Sequence, residues 1–378
     1  MRQRWDIFCT VVDNFGDIGV CWRLAKQLAH EHGKTVRLWI DDLISFSCIA
    51  PQVDPAAERQ VIQQVEIYLW STLPKAVEPA DVVIEAFACE LPEVYISAML
   101  QMDKQPVWIN LEYLSAESWV AQYHGLPSPH PRLSLSKTFF FPGFVANTGG
   151  LLREKDLLAQ RDEFIRHEEA GFWSAKHLPM RKPGELCISL FSYDIVPIDG
   201  LIATLSACNQ SILLIVPAGR IAEHIQRVFG LISLQPDTVI VQNQLTIRII
   251  PFMEQTEYDR LLWSCDINFI RGEDSFVRAQ WAGKPFVWNI YPQRENAHWH
   301  KLNAFLDLYT LNMPLSAAQA VRDLWLTWNG GMAWHPSAWL NFLAARESLM
   351  QHGSDWINQL LKQDDLATNL VRFVENKL

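Results

Sequence analysis

The sequence predicts an α/β protein built from two doubly wound halves. Three observations carry this expectation. Short β-branched runs alternate with segments at helical spacing along most of the chain. Several of those runs are apolar on both faces, as central parallel strands covered by helices must be. Polar turns with glycines follow strands in both halves, at Asp13-Asn14-Phe15-Gly16-Asp17-Ile18-Gly19 and at Arg271-Gly272-Glu273-Asp274-Ser275-Phe276.

Trp5 to Val12 is the first expected strand, and Val20 to His32 the first helix, with Val20, Leu24 and Leu28 on one face. Val36–Ile40, Val65–Leu69, Val82–Ala86 and Val107–Leu111 continue as strands. From Ser115 to Thr148 the composition turns to Pro, Gly and Ser, and a long loop with a functional part is expected there. Charged helical segments then lead to Arg181-Lys182-Pro183-Gly184. In the second half Leu186–Phe191, Ser211–Val216, Val239–Val241, Thr246–Ile250, Asp266–Ile270 and Phe286–Ile290 read as strands. Ile198–Cys208, Glu254–Ser264 and Val277–Gly283 read as helices, and the chain from Ala297 onward is mainly helical, clearest over Trp334–Met350 and Asp364–Lys377. The expected division is a first domain over 1–165, a second over 180–360 and a terminal helix over 361–378.

Composition narrows the function. With 49% apolar and 20% charged residues the 378-residue chain is globular, and it can fill two cores. A net charge of −10 argues against nucleic acid as the main partner. Seven scattered cysteines without a CxxC pair read as thiols of a reducing cytoplasm. No run of about 18 apolar residues is present, and no signal-peptide core precedes the first strand, so neither a membrane span nor secretion is expected. Sixteen tryptophans are unusual, and so many large rings can build stacking surfaces as well as cores.

The chemistry sits at the turns. At a strand-to-helix junction a glycine admits a ligand close to the backbone, and the first helix N–H groups favour an anion. Arg271 can neutralise a phosphate oxygen, and Ser275 can donate to one or cap the helix. Glu273 and Asp274 can accept from sugar hydroxyls. Asp13 and Asp17, four apart on a second such turn, can hold a cationic group or take its proton; alternatively Asp17 only caps its helix. Phe191, Tyr193 and Phe252 lie at strand ends, where rings stack on a flat base or simply pack. Gln255 can pair with a base edge or cap. The chain lacks GxGxxG, GxSxG, GxxxxGK[ST], HExxH and DxD patterns, which sets aside dinucleotide enzymes, serine hydrolases, P-loop enzymes and metal-gripping transferases.

These residues, with Asn110-Leu111-Glu112-Tyr113-Leu114-Ser115 and Phe141-Pro142-Gly143-Phe144, give the chain a resemblance to the EarP family, bacterial protein-arginine rhamnosyltransferases that modify translation elongation factor P. The resemblance runs the length of the chain. It implies a GT-B fold: two Rossmann-like domains facing across a cleft, with the C-terminal helix crossing back to the first. It also implies dTDP-β-L-rhamnose as donor, an arginine of elongation factor P as acceptor, and inversion to an α-linked product without metal or cofactor. On that likeness Phe252 and Gln255 hold thymine beside Phe191. Tyr193, Arg271 and Ser275 hold the diphosphate. Asp274 and Glu273 make ribose or phosphate-side contacts, with Glu273 counted in the catalytic set. Asp13 and Asp17 form the acceptor-side pair, and Asn14, Phe15 and Gly16 lie at the substrate. A nucleotide-sugar epimerase or hydrolase, or a nucleotide-sugar-binding protein, would use the same frame.

Overall fold

The computed structural model describes residues 3–13, 15–73, 76–179 and 181–377, with Arg294 described by its backbone alone. The chain divides into two units, residues 1–155 with 361–378, and residues 156–360. Each is a Rossmann-like α/β body built on a largely parallel sheet.

The first unit holds an eight-stranded sheet. Its strands in chain order are β1 (Arg4–Cys9), β2 (Thr35–Ile40), β3 (Arg59–Ile62), β4 (Val65–Leu69), β5 (Val82–Ala86), β6 (Val107–Leu111), β7 (Pro127–Pro129) and β8 (Ser136–Phe140). The spatial order is β3-β4-β2-β1-β5-β6-β8-β7; the six inner strands are parallel, and both edges are antiparallel hairpin partners. β1 lies centrally because Trp5, Ile7, Phe8 and Cys9 are all fully buried, which only a strand covered on both faces allows. Asp6 is buried beside them. Its polar atoms are satisfied there: Arg37 on β2 donates to both its oxygens at 2.6 Å, and the Tyr95 phenol donates to it as well.

The stretch expected as loop contributes two strands to this sheet. β8 reads Ser-Lys-Thr-Phe-Phe, and only Thr138 and Phe140 are buried, so its apolar signal is that of an edge rather than a core strand. The rest of the stretch seats the end of the chain. Gly149 lies against Phe140 and Leu366, and Gly150 adopts φ +75° facing the Asp364 carbonyl, where a Cβ has no room. Gln363 donates to the Phe144 carbonyl at 2.6 Å, Asn369 to Gly149 at 3.0 Å, and Gln27 to Asp365 at 3.0 Å. The helix Leu366–Glu375 thereby belongs to the first unit, against the helix Gly16–His30.

The second unit has a six-stranded sheet. Its strands are β9 (Leu186–Leu190), β10 (Ile212–Pro217), β11 (Val239–Gln242), β12 (Leu245–Ile250), β13 (Ile267–Arg271) and β14 (Phe286–Asn289), in the spatial order β11-β12-β10-β9-β13-β14, with β11 alone antiparallel. Its core is unusually aromatic: Phe269, Phe276, Phe286, Phe305, Trp325, Trp328 and Trp339 pack as stacked and edge pairs. Much of the tryptophan excess is therefore structural. The helix expected over Trp334–Met350 is broken at Ala345 into Pro336–Ala344 and Arg346–Leu360. Residues 156–165 fall in this unit rather than the first, where Arg161 donates to the Trp281 carbonyl at 2.9 Å.

Candidate active site

In the first unit the site is built on the turn from β1 into the helix Gly16–His30. The Gly16 N–H donates to the Asp13 carbonyl at 2.7 Å, closing the turn. The helix has Phe15 in the capping position, and no side chain caps it, so Asp17 is not the cap. Instead Asp17 sits in the first helical turn and reaches back: its Oδ2 accepts from the N–H groups of Val12 and Asp13, both at 2.9 Å. The residue is only 2% exposed. Burial raises the proton affinity of its carboxyl; the two amides and the Tyr113 phenol, hydrogen-bonded to it, oppose that, and the nearby Asp41 carboxylate reinforces it. The net effect is a carboxylate more basic than an exposed aspartate. Asp13 is half-buried beside it, and Asn14 lies outside the described residues.

At Gly16 it is space, not φ, that disfavours a side chain. A Cβ there would stand 2.8 Å from Asp13 Oδ2. Gly16→Ala should therefore displace the Asp13 side chain while leaving the sheet intact. The expected result is a fall in turnover of about tenfold with an unchanged affinity for nucleotide, measured by initial rates and by titration calorimetry.

In the second unit the predicted residues converge at the carboxyl ends of β9 and β13. The Arg271 guanidinium lies over two rings, 4.3 Å from the centroid of Phe191 and 4.8 Å from that of Tyr193. The two rings fix the plane of the guanidinium. Phe252 meets Phe191 edge-on at 6.1 Å, and Tyr258 meets it at 5.5 Å. Gln255, at the start of the helix Gln255–Ser264, donates to Asp274 at 3.1 Å and so ties two of the predicted contacts together. Gly272 takes φ +64°, turning the chain sharply out of β13.

Two expectations are corrected here. The helix begins at Asp274, not Val277, and Ser275 does not cap it. Ser275 Oγ donates to the Arg271 carbonyl and accepts from the Arg271 N–H at 3.2 Å. A serine in the first helical turn after a left-handed glycine folds back onto the chain more readily than it reaches the orphan N–H groups. Glu273 occupies the capping position with a helical backbone and makes no side-chain cap bond. Sequence reasoning also missed Asn289, whose Oδ1 accepts from Ser192 Oγ at 2.9 Å and from the Tyr193 N–H at 3.0 Å. Asn289 closes β14, so its place at a strand end was the available signal. Trp288 was missed too; it donates to the Gly272 carbonyl at 2.8 Å and stacks on Phe276 at 3.9 Å.

All seven cysteines are free thiols. Among the described residues no group of three or more His, Cys, Asp and Glu could hold a metal, and no helix is long and apolar enough to cross a membrane.

A family model described as elongation factor P (EF-P) rhamnosyltransferase EarP matches residues 5–375. The chain belongs to the EarP family. The protein-arginine rhamnosyltransferase of Pseudomonas putida is 48% identical to it, with both chains covered in full. The Neisseria meningitidis protein of that name is 35% identical, over 97% of this chain and 96% of its own. A solved structure described as the structural basis for EarP-mediated arginine glycosylation of EF-P superposes with a TM-score of 0.72 at 35% identity, covering both chains in full. In that EarP frame the Asp13–Asp17 turn belongs to the first unit and the Arg271 cluster to the second.

Proposed function

We propose that this chain transfers L-rhamnose from dTDP-β-L-rhamnose to an arginine side chain of translation elongation factor P, with inversion and without a metal, in the cytoplasm. The observation that carries this is the buried Asp17 carboxylate of raised basicity, in a chain matched by the EarP model from residue 5 to residue 375.

A guanidinium is a poor nucleophile: it holds its proton to a pKa above about 12, and its lone pairs are delocalised. Asp17 supplies the missing base. In the transfer an arginine nitrogen bonds to the anomeric carbon as that carbon's bond to the diphosphate oxygen breaks, and the nitrogen's proton passes to Asp17. Displacement from the face opposite the leaving group turns a β-linked donor into an α-linked product, by the geometry that also distinguishes glycosidases. Asp13 orients the guanidinium, with Asn14, Phe15 and Gly16 shaping the acceptor side.

On the donor side Arg271 and Tyr193 hold the diphosphate and stabilise the charge that dTDP gains on leaving. Ser275 acts by fixing the Arg271 backbone through its two hydrogen bonds. Phe252 and Phe191 flank the thymine. Gln255, whose Nε2 is held by Asp274, offers its amide oxygen to the N3–H of that base. Asp274 and Glu273 serve the ribose and phosphate side, with Glu273 assisting catalysis.

Intact-mass measurement tests the proposal. Incubation with elongation factor P and dTDP-β-L-rhamnose should add one deoxyhexose to the acceptor, and replacement of the acceptor arginine should prevent it. Release of free sugar or of an epimer, with no change in acceptor mass, would overturn the transferase assignment.

A further inference from the structure

We propose that Tyr113 is a positioning residue for the Asp17 carboxylate, donating its phenol O–H to it from a ring clamped on Phe87. The inference rests on the assignment of Asp17 as the base.

Three features of the first unit lead to it. Tyr113 follows β6, and the preceding residue is tied to the sheet, since the Glu112 N–H donates to the Phe140 carbonyl at 3.0 Å. Its ring stacks on Phe87, with centroids 4.4 Å apart and planes 18° from parallel. Phe87 is itself held in an uncommon state. It leaves β5 at φ +56°, followed by Ala88 at +55° and Glu90 at +50°. A bulky residue keeps such a conformation only where its surroundings over-determine it. Here the Phe87 N–H donates to the Leu111 carbonyl at 2.7 Å, which fixes the ring at the height of Tyr113. The strain at Phe87 goes into a rigid platform, and the platform aims a hydroxyl.

The groups around Asp17 make that hydroxyl matter. Asp13 lies on the same turn. Asp41, beyond the end of β2, accepts from the Val11 N–H at 2.9 Å and disfavours ionisation of Asp17. The Cys9 thiol on β1 is pushed up strongly by its own burial, with Asp17 adding to the effect, so it stays protonated. The named neighbours are acidic or neutral. Two backbone amides and the Tyr113 phenol favour the ionised form and so oppose, without cancelling, the effects of burial and of Asp41. A phenol that donates a proton in a hydrogen bond also fixes the carboxylate torsion, which a base needs to meet a guanidinium nitrogen in line.

Tyr113→Phe tests this, because the ring stays on Phe87 and the fold is preserved. The Asp17 carboxyl, followed by carbon-13 NMR, should titrate about one pH unit higher than in the wild type. The acidic limb of the transfer rate should move up by the same amount, because the base must be ionised to act. The KM for dTDP-β-L-rhamnose should not change. Phe87→Leu keeps the hydroxyl but removes the platform, and should shift both readouts in the same direction by less. An unmoved Asp17 titration in Tyr113→Phe overturns the inference, whatever happens to the rate. If the titration moves while wild-type protein adds no sugar to elongation factor P, the positioning stands and the role of Asp17 as base falls.

Discussion

Asp17→Asn should lower the rate of arginine modification by 10²- to 10⁴-fold, the range over which a positioned general base contributes. Asparagine has almost the same shape, and its amide oxygen can still accept from the Val12 and Asp13 N–H groups, so the turn should survive. Binding of dTDP, measured by calorimetry, should stay within twofold. The same variant separates function from stability. Burial raises the Asp17 carboxyl above its unfolded value, so the folded state binds the proton more tightly than the unfolded chain does. The ionised form therefore destabilises the fold. That cost is absent below the ordinary carboxylate range and complete once the pH has passed the raised folded value. At neutral pH Asp17→Asn should melt at or above the wild-type Tm while being almost inactive. A variant that transfers rhamnose at near the wild-type rate would end the base assignment; one that melts well below wild type would mean that the carboxylate is structural.

Arg271→Met should weaken dTDP binding by roughly 10- to 100-fold, as expected for loss of hydrogen bonds from a buried cation to a phosphate. Turnover at saturating donor should fall as well, because the departing diphosphate loses its counter-charge. Methionine is the informative replacement: its flexible thioether still fills the space between Phe191 and Tyr193, so the aromatic bracket keeps its packing. Arg271→Lys should fall between the two proteins, since an ammonium keeps the charge but cannot lie flat on two rings. Equal nucleotide affinity in wild type and Arg271→Met would remove Arg271 from the donor site.

What could be read from the sequence follows a physical boundary. Strands buried on both faces announce themselves by continuous apolar runs, and β4, β5 and β6 fall where the runs lie. β8 escaped because half of its residues face outward and prolines flank it. Phe191, Tyr193, Phe252, Gln255, Arg271 and Asp274 were legible as strand-end residues, and the fold brings them into one cluster. Their hydrogen-bond partners were not legible. From sequence Ser275 could cap the helix or donate to a phosphate; its bonds to the Arg271 backbone follow from the helix start at Asp274, which no local pattern marks. Tyr113 stood in a visible motif, yet its link to Asp17 joins residues remote in sequence through a platform whose backbone angles no local pattern foretells.

The return of residues 361–378 to the first unit bears on how the protein is made. A ribosome delivers the chain from its amino end, so the eight strands of the first sheet emerge long before the helix that packs on Gly16–His30. Through the whole synthesis of the second unit, the seat around Gly149 and Gly150 and the amide of Gln27 wait without Leu366, Asp364 and Asp365. The body translated first is thus the last to be completed, and a nascent chain carries this unfilled seat for as long as translation lasts.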